Sequence, residues 1–360
     1  MRKSKAPPVT GFSRYVITLA IAAVCLLTLV WLQRTLPYLV GPYQLRMVML
    51  SGIAIILAVS LNLVNGFAGQ FSLGHAGFYA IGAYCSAYLT RYWGESITGY
   101  LTSAMGLSSE LAVGVLMLMA IGVGLAAAFA AGIVVGLPSL RLRGDYLAIA
   151  TLGFGEAIVV IIQNTRAVGA QRGFSGIPAY TEFSWVFAFV VLVILFSRNL
   201  AMSAHGRALF AIREDDVAAE SAGVDVCRYK VMVFAMSAAW AGVAGALFAH
   251  YEGYLAPKAF GFMKSVDIVV MVVLGGGGSV TGAVAAAVVL TALPEMLRGM
   301  RLFGVELQEY RMVAYAALLV VLMLTRPQGV LGRSELSFVD IFRRLRSRIA
   351  HSRPKQERAQ

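Results

Sequence analysis

The sequence predicts an all-α, polytopic membrane protein with about ten transmembrane helices. Of its 360 residues, 59% are hydrophobic and 13% are charged, whereas soluble domains are about 45–50% apolar and about 25% charged. This apolar fraction suffices for roughly ten spans of ~20 residues each. The same composition excludes a disordered chain, and a count of only three cysteines excludes a disulfide scaffold.

Ten apolar runs bounded by charges, proline or glycine are the predicted spans. The first follows a basic segment at 1–14 and lacks a small-x-small cleavage site, which favours an uncleaved span over a signal peptide. The interval 263–293 is divided at the four glycines 275–278, because the division returns both chain termini to one side of the membrane. The runs are 15–32, 46–65, 70–90, 111–136, 146–163, 183–197, 231–249, 263–274, 280–297 and 311–325.

The distribution of basic residues predicts the orientation of these spans. With the N-terminus inside, inner segments hold 20 Lys and Arg and outer segments hold 10, which is the bias expected of cytoplasmic loops. We therefore predict a cytoplasmic segment at 1–14, a transmembrane domain at 15–325 and a basic cytoplasmic tail at 326–360. The net charge of +12 is then explained by contact with anionic membrane lipid, so no nucleic acid partner is expected.

Two of the spans are predicted to be broken helices, one opening at Gly66, Gly69 and Gly74 and one ending at 275–278. Backbone broken at membrane depth persists only where protein buries it or where it lines a wet cavity. Polar residues near the first break could hydrogen-bond a passing zwitterion, or could satisfy the exposed backbone. An intramembrane carboxylate could line the path or pair with a neighbouring subunit. The candidates for the translocation pathway are Asn62, Asn65, Gln70, Ser72, His75 and Glu156.

The longest polar insertion, 198–230, is predicted to carry a short helix. Asp215 or Asp216 can cap its first turn, and Gly223 can end it in a left-handed conformation. A helix this short is marginal alone and needs a surface to dock against. Two interpretations stay open: a solvated loop helix, or a cytoplasmic knob whose central small residues and flanking charges fit a partner protein.

An ordered series of motifs covers most of the chain, from about residue 45 to residue 332. The motifs are LNLVNG at 61–66, GQFSLGHAGF at 69–78, GDYLAIATLG at 144–153, AIREDD at 211–216, AAE at 218–220 and VLGGGGS at 273–279. This series resembles the permeases of branched-chain amino acid ABC importers, of the LivM type. One departure from the family pattern is Arg172, in a segment that is usually more neutral, and it bears on substrate choice or on docking of a binding protein.

The resemblance implies the type II ABC-importer permease fold in a bacterial inner membrane. It implies ATP-driven import of branched-chain, or other hydrophobic, amino acids from the periplasm. The implied partners are a second homologous permease, two cytoplasmic ATPase subunits and a periplasmic substrate-binding protein. The segment 215–223 becomes the coupling helix that docks on an ATPase, through Asp215, Asp216, Ala218, Ala219, Glu220 and Gly223.

The sequence predicts that ATP is bound elsewhere. No G-x-x-x-x-G-K-[ST] loop occurs in the chain, so ATP and Mg²⁺ are expected on the partner ATPases, with no cofactor and no enzymatic activity here. The histidines are scattered, which predicts no metal site. Two alternatives stay open: a urea or short-amide ABC permease, and an ion-coupled secondary transporter in which Glu156 or Asp267 carries protons. A secondary transporter does not need the acidic segment 215–223.

Overall fold

The structure, a computed structural model, describes residues 41–139 and 144–297, together with residue 35, residues 301–302 and 305–306, and residues 317, 320 and 321. The predicted cytoplasmic segment 1–14, the first span 15–32 and the tail 326–360 lie outside the described residues. The predicted span 311–325 is described only at three positions, all of them helical.

Ten helices make up most of the described chain. Two short antiparallel hairpin-like pairs accompany them, β1 (Phe174–Ser175) with β2 (Tyr254–Leu255) and β3 (Arg301–Leu302) with β4 (Val305–Glu306). The helices are α1 Pro42–Asn62, α2 His75–Met105, α3 Ser109–Ser139, α4 Asp145–Asn164, α5 Phe183–Met202, α6 Ala204–Glu214, α7 Asp216–Ser221, α8 Val226–Glu252, α9 Phe262–Gly275 and α10 Val280–Leu297.

The predicted class of all-α, polytopic membrane protein is confirmed. Within the described ranges, five segments are long and apolar enough to cross a membrane. These are Pro42–Phe67, Ser109–Pro138, Asp145–Asn164, Phe183–Met202 and Val226–Glu252. The count of ten spans and the importer fold stay predictions. Two of the predicted spans fall mostly outside the described chain, and the predicted spans 70–90, 263–274 and 280–297 are not among these five segments.

Two boundaries differ from those predicted. The third predicted span, 70–90, corresponds to the helix His75–Met105. Residues 70–74 are non-helical, and charged residues such as Arg91 lower the hydropathy without ending the helix. The polar insertion, predicted at 198–230, is shorter: α5 extends to Met202 and α8 already begins at Val226. The insertion is therefore 203–225, and most of it is helical.

The helices α1 and α8 form the centre of the bundle, and both are mostly buried, whereas α5 is the most exposed of the five spans. Small residues let α2, α3 and α8 approach closely. A Cβ atom on Gly82 would collide with the backbone of Gly242, and one on Gly242 would lie 2.6 Å from the side chain of Ala128. Such small-residue contacts replace the hydrophobic driving force that helices lack in lipid.

The loops gather at two ends of the bundle. At one end, here called the break end, residues 66–74, 203–225 and 276–279 contact one another. At the other, the strand end, β1 pairs with β2 and Arg46 Nη2 on α1 lies 2.9 Å from Glu252 Oε1 on α8. The polar insertion and both predicted helix breaks therefore share one end.

Candidate functional site

The first break separates α1 from α2 at the break end. After Asn62 the backbone forms a π-helical turn at Leu63–Phe67, and residues 68–74 are non-helical until α2 begins at His75. The three predicted glycines lie in this segment: Gly66 in the π-turn, Gly69 in the loop and Gly74 directly before His75. A π-turn followed by irregular backbone at a helix end is a common feature of functional sites.

Side chains satisfy the irregular backbone of the first break. Ser72 N–H donates to Asn65 Oδ1 at 3.2 Å, Leu73 N–H donates to Thr151 Oγ1 at 3.1 Å, and Ala76 N–H donates to Ser265 Oγ at 3.2 Å. The acceptors come from the π-turn, from α4 and from α9. Because an unpaired backbone group in a membrane is costly, these bonds hold the break in one conformation.

The second break separates α9 from α10. Gly275 is the last residue of α9, and α10 begins at Val280. Between them Gly276 and Gly278 have φ angles of +102° and +99°, which residues with a side chain rarely adopt. Ser279 Oγ accepts the N–H of Gly282 at 3.1 Å and so caps the start of α10.

The two breaks meet directly. Asn62 Oδ1 accepts the backbone N–H of Gly278 at 2.9 Å. A Cβ atom on Gly66 would collide with both the nitrogen of Gly278 and the side chain of Asn62. Glycine at 66 is therefore required for the end of α1 to touch the loop between α9 and α10.

Arg213, in the last turn of α6, joins the polar insertion to this junction. Its Nη1 donates to the carbonyl oxygen of Gly66 at 2.8 Å, and its guanidinium lies 5.4 Å from the ring centroid of Phe210. A Cβ atom on Gly69, whose φ is +68°, would lie 2.6 Å from Arg213 Cγ. Sequence reasoning did not predict Arg213 as a site residue. The available signal was its position directly before the acidic run 214–216.

The short helix predicted in the polar insertion is α7. Asp215, and not Asp216, caps it, because Asp215 Oδ1 accepts the N–H groups of Val217 at 2.8 Å and Ala218 at 3.0 Å. Gly223 follows the helix with a φ of +84°, as the sequence predicts. Asp216 instead forms an ion pair with Lys230 Nζ at 2.5 Å, which ties α7 to α8.

The surface of α7 is small and exposed. Ala219 is buried against the bundle, while Val217 is 60% exposed and Ala218 and Glu220 are exposed. Gly223 is exposed as well, and a Cβ atom there would meet no atom within 4 Å. The face that points away from the bundle is therefore free within the described chain, which is the geometry that docking would need.

His75 belongs to a buried polar network in the bundle core. Its Nε2 lies 2.8 Å from Ser60 Oγ, and the backbone carbonyl of Ser60 accepts Ser237 Oγ–H at 2.6 Å. The three residues link α1, α2 and α8 and are almost fully buried. Ser60 Oγ also lies 2.9 Å from the carbonyl of Leu57, to which it can donate, so the network fits a neutral His75 that donates from Nε2.

The predicted pathway residues thus have different surroundings. Asn62 and Asn65 accept backbone N–H groups, and His75 pairs with Ser60, which is what the backbone-satisfying interpretation expects. Ser72 is buried in the first break. Gln70 is different: it is buried, and neither atom of its amide has a hydrogen-bond partner within the described chain. A role for any of them in translocation stays a prediction.

The intramembrane carboxylates take no part in the hydrogen bonds that join the two breaks. Glu156 on α4 is half-buried, and a Cβ atom on Gly261, just before α9, would lie 3.8 Å from its Oε1. Asp267 on α9 is half-buried as well. Neither forms an ion pair with a residue that the structure describes, and the same part of the chain contains no group of three or more His, Cys, Asp or Glu side chains that could hold a metal ion.

Comparison with known proteins decides the family. The sequence profile described as branched-chain amino acid transport system / permease component matches residues 43–323. The chain belongs to this family. The permease's matched region begins with α1 and contains both helix breaks and the polar insertion, so the junction around Arg213 lies wholly within the family domain.

Individual relatives agree with this assignment. The permease is 35% identical over 348 residues to the high-affinity branched-chain amino acid transport system permease protein LivM of Escherichia coli (strain K12), with 87% of this chain and 74% of that protein covered. It is 31% identical over 234 residues to the probable LivM of Methanocaldococcus jannaschii, covering 58% and 68%. It is also 27% identical over 300 residues to LivH of Escherichia coli (strain K12), covering 79% and 92%.

Proposed function

We propose that this permease is the membrane-spanning subunit of an ATP-driven ABC importer that moves branched-chain, or other hydrophobic, amino acids into the cytoplasm. Membership of the family and similarity to proteins named LivM and LivH support the substrate class. The observation that carries the energy coupling is α7, a capped, exposed helix placed next to the point where two broken helices meet. A transporter driven by an ion gradient has no need for such a helix.

The complete importer is proposed to contain four further protein chains of three kinds. Similarity to both LivM and LivH supports a second, homologous permease beside it. Two cytoplasmic ATPase subunits bind ATP and Mg²⁺, and a periplasmic protein delivers the substrate. The permease itself crosses the bacterial inner membrane about ten times in the type II importer fold, with both termini in the cytoplasm.

Docking on the ATPase is proposed to occur through the segment 215–223. Its small residues allow close approach, and Glu220 supplies a charge that fixes the orientation in the groove. ATP binding closes the ATPase pair and moves the docked helix, which biases the permease between inward-open and outward-open states. The break end, where 203–225 and both helix breaks lie, is then the cytoplasmic end.

The substrate path is proposed to pass the broken helices. Irregular backbone at membrane depth is tolerated in protein or beside a wet cavity, and the first break brings Gln70, with its unpaired amide, close to Ser72. Hydrogen-bonding groups of this kind can hold a zwitterionic amino acid as it passes. Glu156 is a second candidate on the path, or in the contact with the second permease.

Uptake measurements test the substrate class. The complete complex is reconstituted in proteoliposomes with ATP on the ATPase side and the binding protein on the other, and uptake of labelled leucine, isoleucine, valine, urea and acetamide is compared. The proposal expects uptake of the three branched-chain amino acids above that of urea and acetamide. Preferential uptake of urea or acetamide would replace it with the short-amide alternative.

Co-purification tests the docking segment. We expect Glu220→Arg and Gly223→Trp to abolish capture of the ATPase subunits by the tagged permease, because both changes obstruct the exposed face of α7. The matched control is Ser103→Arg, an exposed position near the strand end of α2, where capture should be unchanged. Capture that survives both α7 substitutions would rule out docking through 215–223.

A further inference from the structure

We propose that Arg213 is the positioning residue that carries movement of the coupling helix to both helix breaks, so that it sets how much transport each hydrolysed ATP produces. This inference rests on the proposed function. It adds a residue that belongs neither to the docking segment 215–223 nor to the predicted pathway.

The chain connection between Arg213 and α7 is short. Arg213 lies in the last turn of α6, and only Asp215 separates the end of α6 at Glu214 from the start of α7 at Asp216. Because Asp215 caps α7 through two hydrogen bonds, the linker has little freedom of its own. A displacement of α7 must therefore move the backbone that carries Arg213.

The contacts of Arg213 with the first break involve both its charged group and its stem. The guanidinium donates to the carbonyl oxygen of Gly66 at 2.8 Å, and hydrogen bonds to a charged donor are stronger than neutral ones. The aliphatic stem passes so close to Gly69 that a Cβ atom there would lie 2.6 Å from Arg213 Cγ. The side chain is only 20% exposed, so these contacts keep most of it out of solvent.

The same guanidinium reaches the second break. A Cβ atom on Gly278 would lie 3.0 Å from Arg213 Nη1, so the glycine backbone and the guanidinium are in direct contact. Gly278 in turn donates its N–H to Asn62 Oδ1. Arg213, Gly66, Asn62 and Gly278 thus form a closed set of contacts in which α6, α1 and the α9–α10 loop meet.

A cavity beside this set gives the guanidinium somewhere to move. It has a volume of about 370 Å³ and is lined by Arg198, Met202, Phe210, Arg213 and Gly277, among others. A packed residue with an adjacent space can exchange between two arrangements, which is what a switching element requires. Movement of α6 can therefore release Gly66 and Gly278 together, and both broken helices can respond to one displacement.

The test measures ATP hydrolysis and leucine uptake together in the complete reconstituted complex. For Arg213→Ala we expect unchanged capture of the ATPase and continued hydrolysis. Uptake per ATP should fall by about tenfold, the size of a typical coupling between two sites. Arg213→Lys should recover part of the loss, since Lys keeps one charged donor but lacks the planar fork.

Two further variants keep the inference falsifiable. Gly69→Ala leaves Arg213 in the sequence but displaces its stem, so it should reduce uptake per ATP as well; it also serves if Arg213→Ala fails to assemble. Arg207→Ala is the matched control on the same helix, because Arg207 is exposed and, among the described residues, donates only to the carbonyl of Met202, at 3.5 Å. Its uptake per ATP should equal that of the unaltered complex.

The outcomes separate this inference from the proposed function. An unaltered complex that shows no ATP-dependent uptake would contradict the proposed function. An unaltered complex that transports, with Arg213→Ala or Gly69→Ala at the same uptake per ATP, would overturn the role of Arg213 alone. Loss of ATPase capture in Arg213→Ala would also overturn it, since the residue would then act through docking.

Discussion

The side chain of Asn62 accepts the backbone N–H of Gly278 at 2.9 Å, across 216 positions of sequence. This bond joins the end of α1 to the loop between α9 and α10. The loop is irregular backbone at the break end, where Gly278 is half-buried and an unpaired N–H is costly. The two broken helices therefore form one structural unit, and a change in the structure of one break affects the other.

Removing the acceptor at Asn62 should destabilise this unit. We expect Asn62→Ala to cost about 1 kcal/mol, because it removes the acceptor of the half-buried N–H of Gly278. The measurement is thermal unfolding of the purified permease in detergent. Ser86→Ala is the control, since the buried hydroxyl of Ser86, within the described residues, bonds only to the carbonyl of Ala83 in its own helix. Equal shifts for the two variants would contradict a special role for the Asn62–Gly278 bond.

Substitution of Gln70, unlike that of Asn62, should not destabilise the permease. Its buried amide has no partner within the described residues, so Gln70→Leu is expected to leave thermal stability unchanged or to raise it. If the amide binds passing substrate, the same variant should lower leucine uptake. Asn65→Leu is the counterpart, because it removes the acceptor of Ser72 N–H and should lower stability. A Gln70→Leu variant that unfolds as readily as Asn65→Leu would show that the amide is needed for the fold.

The network around His75 predicts a structural effect. Ser237→Ala removes the 2.6 Å bond to the carbonyl of Ser60 and should cost about 1 kcal/mol. His75→Leu should cost more, because it replaces a buried imidazole that bonds to the Ser60 hydroxyl. Leucine uptake below the unfolding temperature should keep its KM in both. A raised KM for His75→Leu without a loss of stability would place His75 on the substrate path.

The cap of α7 predicts a graded effect on docking. Asp215→Ala removes the acceptor of two N–H groups, and loss of a helix cap costs about 0.5–2 kcal/mol. For a helix of six residues this should weaken ATPase binding in a titration of the reconstituted permease. Asp215→Asn keeps the acceptor oxygen and should bind like the unaltered protein. Asp225→Ala, which affects the cap of α8, separates this effect from a general loss of capping.

Local patterns predicted much of the fold. The apolar runs predicted the helices, the glycines marked the places where α9 and α10 separate, and the aspartates marked the start of α7. Each of these depends on a few consecutive residues. Hydropathy alone ended α2 too early, because charged residues such as Arg91 and Glu95 lower the local average without interrupting the helix.

The contacts between distant segments could not be predicted in the same way. Arg213 and Gly66 are separated by 147 positions, and nothing local to either residue indicates the other. The carbonyl of Gly66 becomes an acceptor only because the π-turn frees it, and the guanidinium reaches it only because α6 lies against the first break. Sequence reasoning found the candidate polar residues. Only the packing showed that the side chains of Asn62 and Asn65 accept backbone N–H groups, whereas the amide of Gln70 has no partner within the described residues.

The energy source is the most direct test of the account. ATP hydrolysis and leucine uptake are measured in one preparation of proteoliposomes that contain the complete complex, with and without substrate-loaded binding protein and with and without an imposed pH gradient. We predict that uptake requires ATP, rises together with hydrolysis when the loaded binding protein is added, and is indifferent to the pH gradient. Leucine uptake that persists without ATP and follows the pH gradient would contradict the account and favour an ion-coupled secondary transporter.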